Sequence, residues 1–430
     1  MATVTVTQSA LVTNTFASLF QNNLTAADLF NWHKHEGEMD DLNGLTVIEQ
    51  VDPSYVVTET TSGVKDLSGG VQDTVFGSER YTLNKTFGVS MGYGDFVAIR
   101  DLNDARKSRA LKRAAMRLAE HIDKYILSVA SVASNNWCVA SAPTAGIDTY
   151  GDFMQGYTRL KEMGVEDGDF RGVLTYQDKE DLGEAVIALS APDGMVTQTY
   201  REGFSGQIGG IPVLFTQQLP TFTNGNDVTG VAVDGAAQNV DYTSVCNSAS
   251  QGRYLTQTLH VDGVTTGTGT VTAGSVFTID NVYEWDNRAQ QSTGRLQQFT
   301  VVSGGTASGV SDIDLVIFPA MIVQGTSDVN TAHATVDSAP ADDAAITFIG
   351  AASTTYKPRL LTNKDALNIV TKDLIKPMSG TSERVQLKKI PASVRMWMDS
   401  TFATGEHRVR FDIALTANVA DRRRIVRLNG

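Results

Sequence analysis

Six histidines, two cysteines and a few acid pairs are the residues of this chain whose types could do chemistry. His33 and His35 stand at i and i+2, with Lys34 between them and Glu36 after them. Such a cluster could begin a metal site, but no third or fourth ligand follows at a motif spacing, so the run reads as a solvated segment at a helix end. His121, His260, His333 and His407 are scattered, and His121 falls on a helical pattern where packing or snorkelling explains it better than catalysis. Asp312 with Asp314, and Asp342 with Asp343, lack the loop spacing of a calcium site and read as solvated turn acids. Cys138 follows Trp137 with no base recognisably paired to it, which predicts a buried structural thiol rather than a nucleophile. Gly203, Gly206, Gly209 and Gly210 lack the ending and the strand–loop–helix order of a phosphate loop, and predict tight turns before a strand over Ile211–Phe215. Arg422, Arg423, Arg424 and Arg427 could meet phosphate, but near a chain end they read as inter-subunit salt-bridge donors or as solvated. No GxSxG, HExxH, P-loop, CxxC or kinase signature occurs. The expectation is therefore a protein that is not an enzyme, with no catalytic residue, no cofactor and no metal ligand to assign.

The elements that would carry these residues are organised around one stretch, Leu102–Ser134. Leu111, Ala115, Leu118, Ile122, Tyr125, Ile126, Val129 and Ala133 recur at three and four, making one apolar stripe on an uninterrupted helix. Its first half carries Arg106, Lys107, Arg109, Lys112, Arg113 and Arg117, so one end faces water or an anionic partner. Before it, Leu11, Thr15, Phe16, Leu19 and Phe20 share a helical face, and Thr25 with Asp28 suggests a second short helix. Residues 45–93 read as a long hairpin, with strands Thr46–Thr60 and Tyr81–Tyr93 and a tip over Gly63–Gly77. An isolated ribbon is marginal in water, so it must lie on its own domain or on a neighbouring subunit. Further on, helices are expected at Tyr150–Met163, Gln177–Leu189 and Lys364–Leu374, and strands at Arg171–Tyr176 and Arg408–Leu415.

From Asn224 to Ala345 there are thirteen acids against three bases and no lysine, a formal −10 that makes up most of the chain's −13. Short Val/Thr runs at Thr270–Val276, Phe277–Val282, Gln298–Val302 and Leu315–Phe318 alternate with Gly turns, the pattern of a small all-β module set into a host fold. The whole chain has 430 residues, 41% of them hydrophobic and 19% charged, so it can bury a sizeable core and is not a disordered chain. The negative total excludes coating nucleic acid through overall charge. Two distant cysteines make neither a disulfide framework nor a zinc site, and suggest a reducing compartment. No signal peptide and no membrane-spanning run is expected.

Three segments carry a resemblance: GDFVAIRDLNDARKSRALKRAAMRLAEHIDKYIL (Gly94–Leu127), APDGMVTQTYREGFSGQIGGIPVLFTQQLP (Ala191–Pro220) and FTIDNVYEWDNRAQQSTGRLQQFTVV (Phe277–Val302). In their order along the chain they resemble the tailed-bacteriophage major capsid (coat) proteins of the Hong Kong 97 fold. Within that group the resemblance is to the P-twenty-two-type coat protein subgroup, which has a β-barrel insertion domain. The resemblance implies an α+β fold and a division into seven parts. Residues 1–36 would be an N-terminal arm, 37–98 the extended hairpin loop (E-loop) with peripheral-domain strands, and 99–139 the spine helix of the peripheral domain. Residues 140–222 and 348–407 would build the axial domain, 223–347 the inserted acidic β-barrel, and 408–430 a C-terminal return to the peripheral domain. It further implies a structural protein that self-assembles into hexamers and pentamers around a scaffolding protein, with a portal protein, in the host bacterial cytoplasm. The product would be the icosahedral capsid of a virion, of triangulation number seven, holding packaged double-stranded DNA non-specifically against its inner face, with no membrane. An encapsulin-like nanocompartment shell enclosing a cargo enzyme is the alternative. One departure concerns the long insertion-domain loop, which in the family can make charged contacts to a neighbouring capsomer: Cys246–Gln251, the stretch placed there, has no charge. An autocatalytic Lys–Asn cross-link is not expected.

Overall fold

The computed structural model describes residues 8–25, 28–39, 45–57, 73–92, 108–138, 146–165, 168–188, 207–227, 229–247, 253–307, 311–377, 380–400 and 407–428. They divide into two compact units. The first takes Met1–Val47, Tyr81–Val129 and Leu367–Ala420, and the second takes Ile48–Arg80, Ala130–Ala366 and Asp421–Gly430.

The first unit is built on one sheet. Its strands run in the order Asn31–Met39, Leu367–Leu374, His407–Val419, Ser393–Ser400, Thr381–Gln386, and Thr86–Gly92 also pairs with His407–Val419. Along the central strand Val409, Phe411 and Ile413 are buried on one face, while Arg408 and Arg410 alternate on the other. Helix α1 (Gln8–Asn23) covers the apolar face: Phe16 stacks on Phe411 with centroids 3.9 Å apart, and Thr13 Oγ1 donates to Met396 Sδ at 3.3 Å. Helix α2 (Arg109–Ala133) buries Leu111, Ala115, Leu118, Ile122, Ile126 and Ala133, the stripe read from the sequence, while Tyr125 and Val129 stay half-buried. The Tyr125 hydroxyl accepts from the Ala417 N–H at 3.4 Å, and its ring sits 5.1 Å from Phe87. Arg106 and Lys107 lie outside the described residues.

Two expectations are corrected here, after one local detail. The turn after Thr25 is short: the Thr25 N–H and hydroxyl both donate to Asp123, at 3.0 and 2.5 Å, Asp28 has 3-10 geometry, residues 26 and 27 lie outside the described residues, and Asn31 already begins a strand. Leu367–Leu374 is a strand, preceded by a short 3-10 turn at Lys364–Ala366. It is paired on both sides and buried along most of its length, so it lacks the alternation that would have marked it. Finally, the ribbon's second strand is Gly77–Leu83, pairing with Leu45–Val51, and Thr86–Gly92 leaves it for the six-stranded sheet. The hairpin tip from 58 to 72 lies outside the described residues, as do Gly203 and Gly206.

The second unit has two six-stranded sheets. One runs Asn136–Cys138, Ile425–Leu428, Arg359–Asn363, Phe170–Leu174, Ile211–Phe215, Gln207–Ile208. Helix α3 (Tyr150–Glu162) packs on it through Phe153 and Leu160, and its first turn is capped by the Thr149 hydroxyl, which accepts from Asp152 N at 3.1 Å. Helix α4 (Tyr176–Ala188) follows the strand Phe170–Leu174 as expected. Gly209 and Gly210, with φ of +57° and +81°, make the turn into Ile211–Phe215.

The other sheet is the acidic module. It runs Ala232–Val233, Gln257–Asp262, Ile313–Phe318, Gln291–Ser303, Val276–Asp286, Ile346–Phe348, all antiparallel. Its first and last strands meet: Val233 N donates to Ala344 O and Ile346 N to Val231 O, each at 3.0 Å. The sheet thus closes into a barrel around Leu259, Val261, Phe277, Ile279, Phe299, Val301, Leu315 and Ile317. Most of the acids stay outside because alternate positions face water, as Thr258, His260 and Asp314 show, while Asp227 and Glu284 are buried.

Candidate assembly surface

Charged groups that the sequence leaves unassigned turn out to hold this second unit together. Arg359 meets Asp178 with Nε at 3.0 Å and Nη2 at 2.9 Å, and both side chains are buried. The Asp178 carboxylate also accepts from the Thr175 N–H and hydroxyl and from Ile147 N–H. Burial alone would raise that carboxyl, but the Arg359 and Thr175 donors outweigh it and hold it below the usual range. Arg159 similarly reaches Glu284 at 2.6 Å and Asn136 Oδ1 at 2.9 Å.

Two of the C-terminal arginines, Arg422 and Arg427, are buried rather than solvated. Arg427 is fully buried, donates from Nε to Ser134 Oγ at 2.7 Å and to Gly274 O, and lies against both the Trp137 and Phe222 rings, 4.9 and 4.8 Å from their centroids. Burial pulls its pKa down to about 9. Arg422 is buried and donates to Ala133 O; Arg423 pairs with Asp421 at 3.1 Å and Arg424 with Asp365 at 3.4 Å. Their role follows from the strand Ile425–Leu428, which pairs in parallel with Asn136–Cys138, a relation that position at a chain end does not reveal.

The histidines and cysteines are not brought together. His33 and His35 lie on the strand Asn31–Met39, where Lys34 between them pairs with Asp373 at 2.9 Å. His121 is exposed on α2, with its ring 5.7 Å from Phe87. His260 pairs with Asp314 at 2.5 Å on the barrel exterior, and Asp342 accepts from Gly235 N at 2.8 Å. Of the His407 side chain nothing is described. Among the described residues no group of three or more His, Cys, Asp or Glu could hold a metal ion. Cys138 borders a cavity of about 700 Å³ between α3 and the strand Gln291–Ser303, and burial pushes its thiol up to about 11. Cys246 is buried, and Ser248–Gln251 of the uncharged loop stretch lies outside the described residues.

The surface without an internal explanation is the ribbon. Ile48 is 68% exposed, Tyr55 55%, Val57 93% and Phe76 52%, four of the nine large hydrophobics left open among the described residues. Apolar residues concentrated on one narrow element call for a cover. Its root is held by polar atoms. Ser78 bridges in parallel to Asn247, donating from N to Cys246 O at 2.8 Å and from Oγ to Asn247 Oδ1 at 3.0 Å. The buried Glu79 carboxylate accepts from Tyr254 N at 2.6 Å; burial raises its pKa, against Tyr254 and the nearby Arg253 and Arg422. Ser54 N donates to His333 Nε2 at 3.3 Å, and the His333 ring stacks on Tyr242 with centroids 3.6 Å apart. Burial, followed by Arg423, lowers His333 to about 4, so it accepts as the neutral ring. Gly77 fits only as glycine: an added Cβ would stand 2.5 Å from the Tyr254 ring.

A family model described as P22 coat protein - gene protein 5 matches residues 77–425. A "Major capsid protein" of Acyrthosiphon pisum secondary endosymbiont phage 1 is 25% identical over 282 residues, 63% of this chain and 63% of that relative, so the match spans less than two thirds of it. Among solved structures, the capsid of the cyanophage P-SCSP1u is similar with a TM-score of 0.41 at 10% identity, over 94% of this chain and 86% of that one. The CUS-3 coat protein I-domain is similar with a TM-score of 0.19 at 22% identity, over 28% of this chain and 96% of that one.

Proposed function

The chain belongs to the P22 coat protein family, and from that premise we propose that it is the major capsid protein of a tailed phage, building an icosahedral shell from many copies of itself. The observation that carries the reading, beside the family match over residues 77–425, is the ribbon with Ile48, Tyr55, Val57 and Phe76 turned outward from a barrel that holds its root. Covering a Val or Ile side chain contributes about 1.5–3 kcal/mol. A few such residues per contact, repeated around hexamers and pentamers, drive closure of a shell while leaving each subunit soluble. The function is burial and switching between packings of one chain, with no bond chemistry.

The finer assignments follow the family. The first unit serves as the peripheral domain with α2 as its spine. This division departs from the expected bounds, since residues 367–407 fall in the first unit and 421–430 in the second; on it, the sheet containing Ile425–Leu428 serves as the axial domain, and the barrel is the insertion domain. A scaffolding protein directs assembly in the host cytoplasm, a portal protein occupies one vertex, and double-stranded DNA fills a Hong Kong 97-type shell of triangulation number seven. The net charge of −13 fits a container through which DNA must slide.

Negative-stain microscopy of pelleted material tests the reading, with the chain expressed alone and with the neighbouring reading frames. Closed shells or spirals support it, and dependence on a neighbouring frame identifies the scaffold. A small soluble oligomer under both conditions contradicts it, and a bound cargo peptide inside closed shells replaces it with a nanocompartment.

A further inference from the structure

The outer face of α2 is a line of positive charge. Arg109, Lys112, Arg113, Arg117 and Lys124 are exposed on one side of the helix, opposite the buried Leu111, Ala115, Leu118, Ile122 and Ile126. Among the described residues only Arg117 of these has an ion pair, with Glu120 at 2.8 Å. The remaining acid of this stretch, Asp123, is turned inward, where it accepts from Thr25. Four uncompensated cations therefore stand along about 22 Å of helix. The chain as a whole carries −13, so this face is positive against the sign of the molecule.

We propose that this face is where the chain contacts double-stranded DNA, through phosphates alone and without regard to sequence; this rests on the reading that the chain encloses DNA. Duplex DNA offers about one phosphate charge per 1.7 Å of its axis, so a band of cations along a helix finds partners at any register. An acidic protein helix would need an apolar seam to fix its register, and Met116, 38% exposed, is the sole large aliphatic group on the face among the described residues. The exposed face carries no Asn or Gln to read base edges and no Phe, Tyr or Trp on which a base could stack. With so few contacts, binding is weak and salt-sensitive, which lets DNA move past the surface.

The test is fluorescence anisotropy of the full-length soluble subunit with a labelled duplex of about 30 base pairs, in two unrelated sequences, from 25 to 200 mM salt. The wild type should bind both sequences equally, with log K falling against log salt at a slope of about −3.6 for four phosphates. Arg109→Gln, Lys112→Gln, Arg113→Gln and Lys124→Gln together should flatten that slope and weaken binding at 50 mM salt at least tenfold. If the fourfold variant does not fold, Arg113→Gln alone should reduce the slope by about 0.9. An unchanged slope in a folded variant overturns the proposal. So does absence of binding by the wild type at 25 mM, or capture of a poly-glutamate peptide by these residues in preference to duplex. Microscopy of the same variant separates this from the shell reading. Shells should still form; their loss from a folded variant would assign the stripe to subunit contacts and overturn the proposal while leaving the shell intact as a function.

Discussion

In the sheet that ends at Ile425–Leu428 the charges lie inside and apolar groups enclose them. In the ribbon of Leu45–Val51 and Gly77–Leu83 and its flanks, four large apolar groups lie outside, and the charge inside is the one carboxyl of Glu79. The first arrangement is complete within one chain: Asp178, Arg359, Arg159 and Glu284 find partners without leaving the unit. The second leaves apolar surface uncovered and anchors only its root. The difference separates a region that stabilises a subunit from a region that joins subunits.

Removing one partner of a buried pair should be the most damaging change. Arg359→Ala leaves Asp178 charged and enclosed, and should lower unfolding free energy by about 3–5 kcal/mol in urea titration. Because the Asp178 carboxyl is held below its ordinary range, the wild-type advantage should be present at neutral pH and shrink as the pH falls through that lowered value. Next is Gly77→Val, whose Cβ meets the Tyr254 ring at 2.5 Å and should cost about 1–3 kcal/mol. Hydrogen exchange should locate that loss in Ser78–Leu83, sparing Ile425–Leu428.

A smaller effect concerns His333. Its folded pKa of about 4 lies below the ordinary 6.5, so the unfolded chain takes up the proton first. Stability should therefore fall as pH drops from about 6.5 towards about 4, and His333→Gln should remove that part of the slope in melts at both ends of the window. The smallest effect is at Glu79, where the raised pKa has the opposite sign. Its neutral form is the favoured one, so stability declines as pH rises through the folded value. Glu79→Gln keeps an acceptor for the Tyr254 N–H and should match the wild type at pH 4 and be the more stable of the two at pH 7. Were Glu79 to lose stability on acidification as the Asp178 pair does, the contrast between the two buried carboxyls would fail.

Much of this was legible in residue order. The α2 stripe announced itself through spacing, and the barrel through short Val/Thr runs and a local −10 of charge. The buried pairs were not: Asp178 and Arg359 stand 181 residues apart, and nothing local to either names the other. Arg422 and Arg427 were misplaced because their burial goes with a parallel pairing of Ile425–Leu428 with Asn136–Cys138, a long-range fact. Leu367–Leu374 was misassigned because a strand buried along both faces shows no period of two. The ribbon was anticipated as an element too exposed to stand alone. The polar latch at its root could not be, since Ser54, Glu79, Tyr254 and His333 converge only in three dimensions.

The central claim is that the outer face of the ribbon joins copies of the chain and does little for the fold of one copy. The most direct test replaces Ile48 with Thr, Val57 with Ser and Phe76 with Ser together, then measures urea unfolding and shell formation by negative-stain microscopy on the same preparation. The account predicts a subunit whose stability stays within about 0.5 kcal/mol per exposed substitution and which no longer closes shells. Shells of normal form from that variant would contradict it.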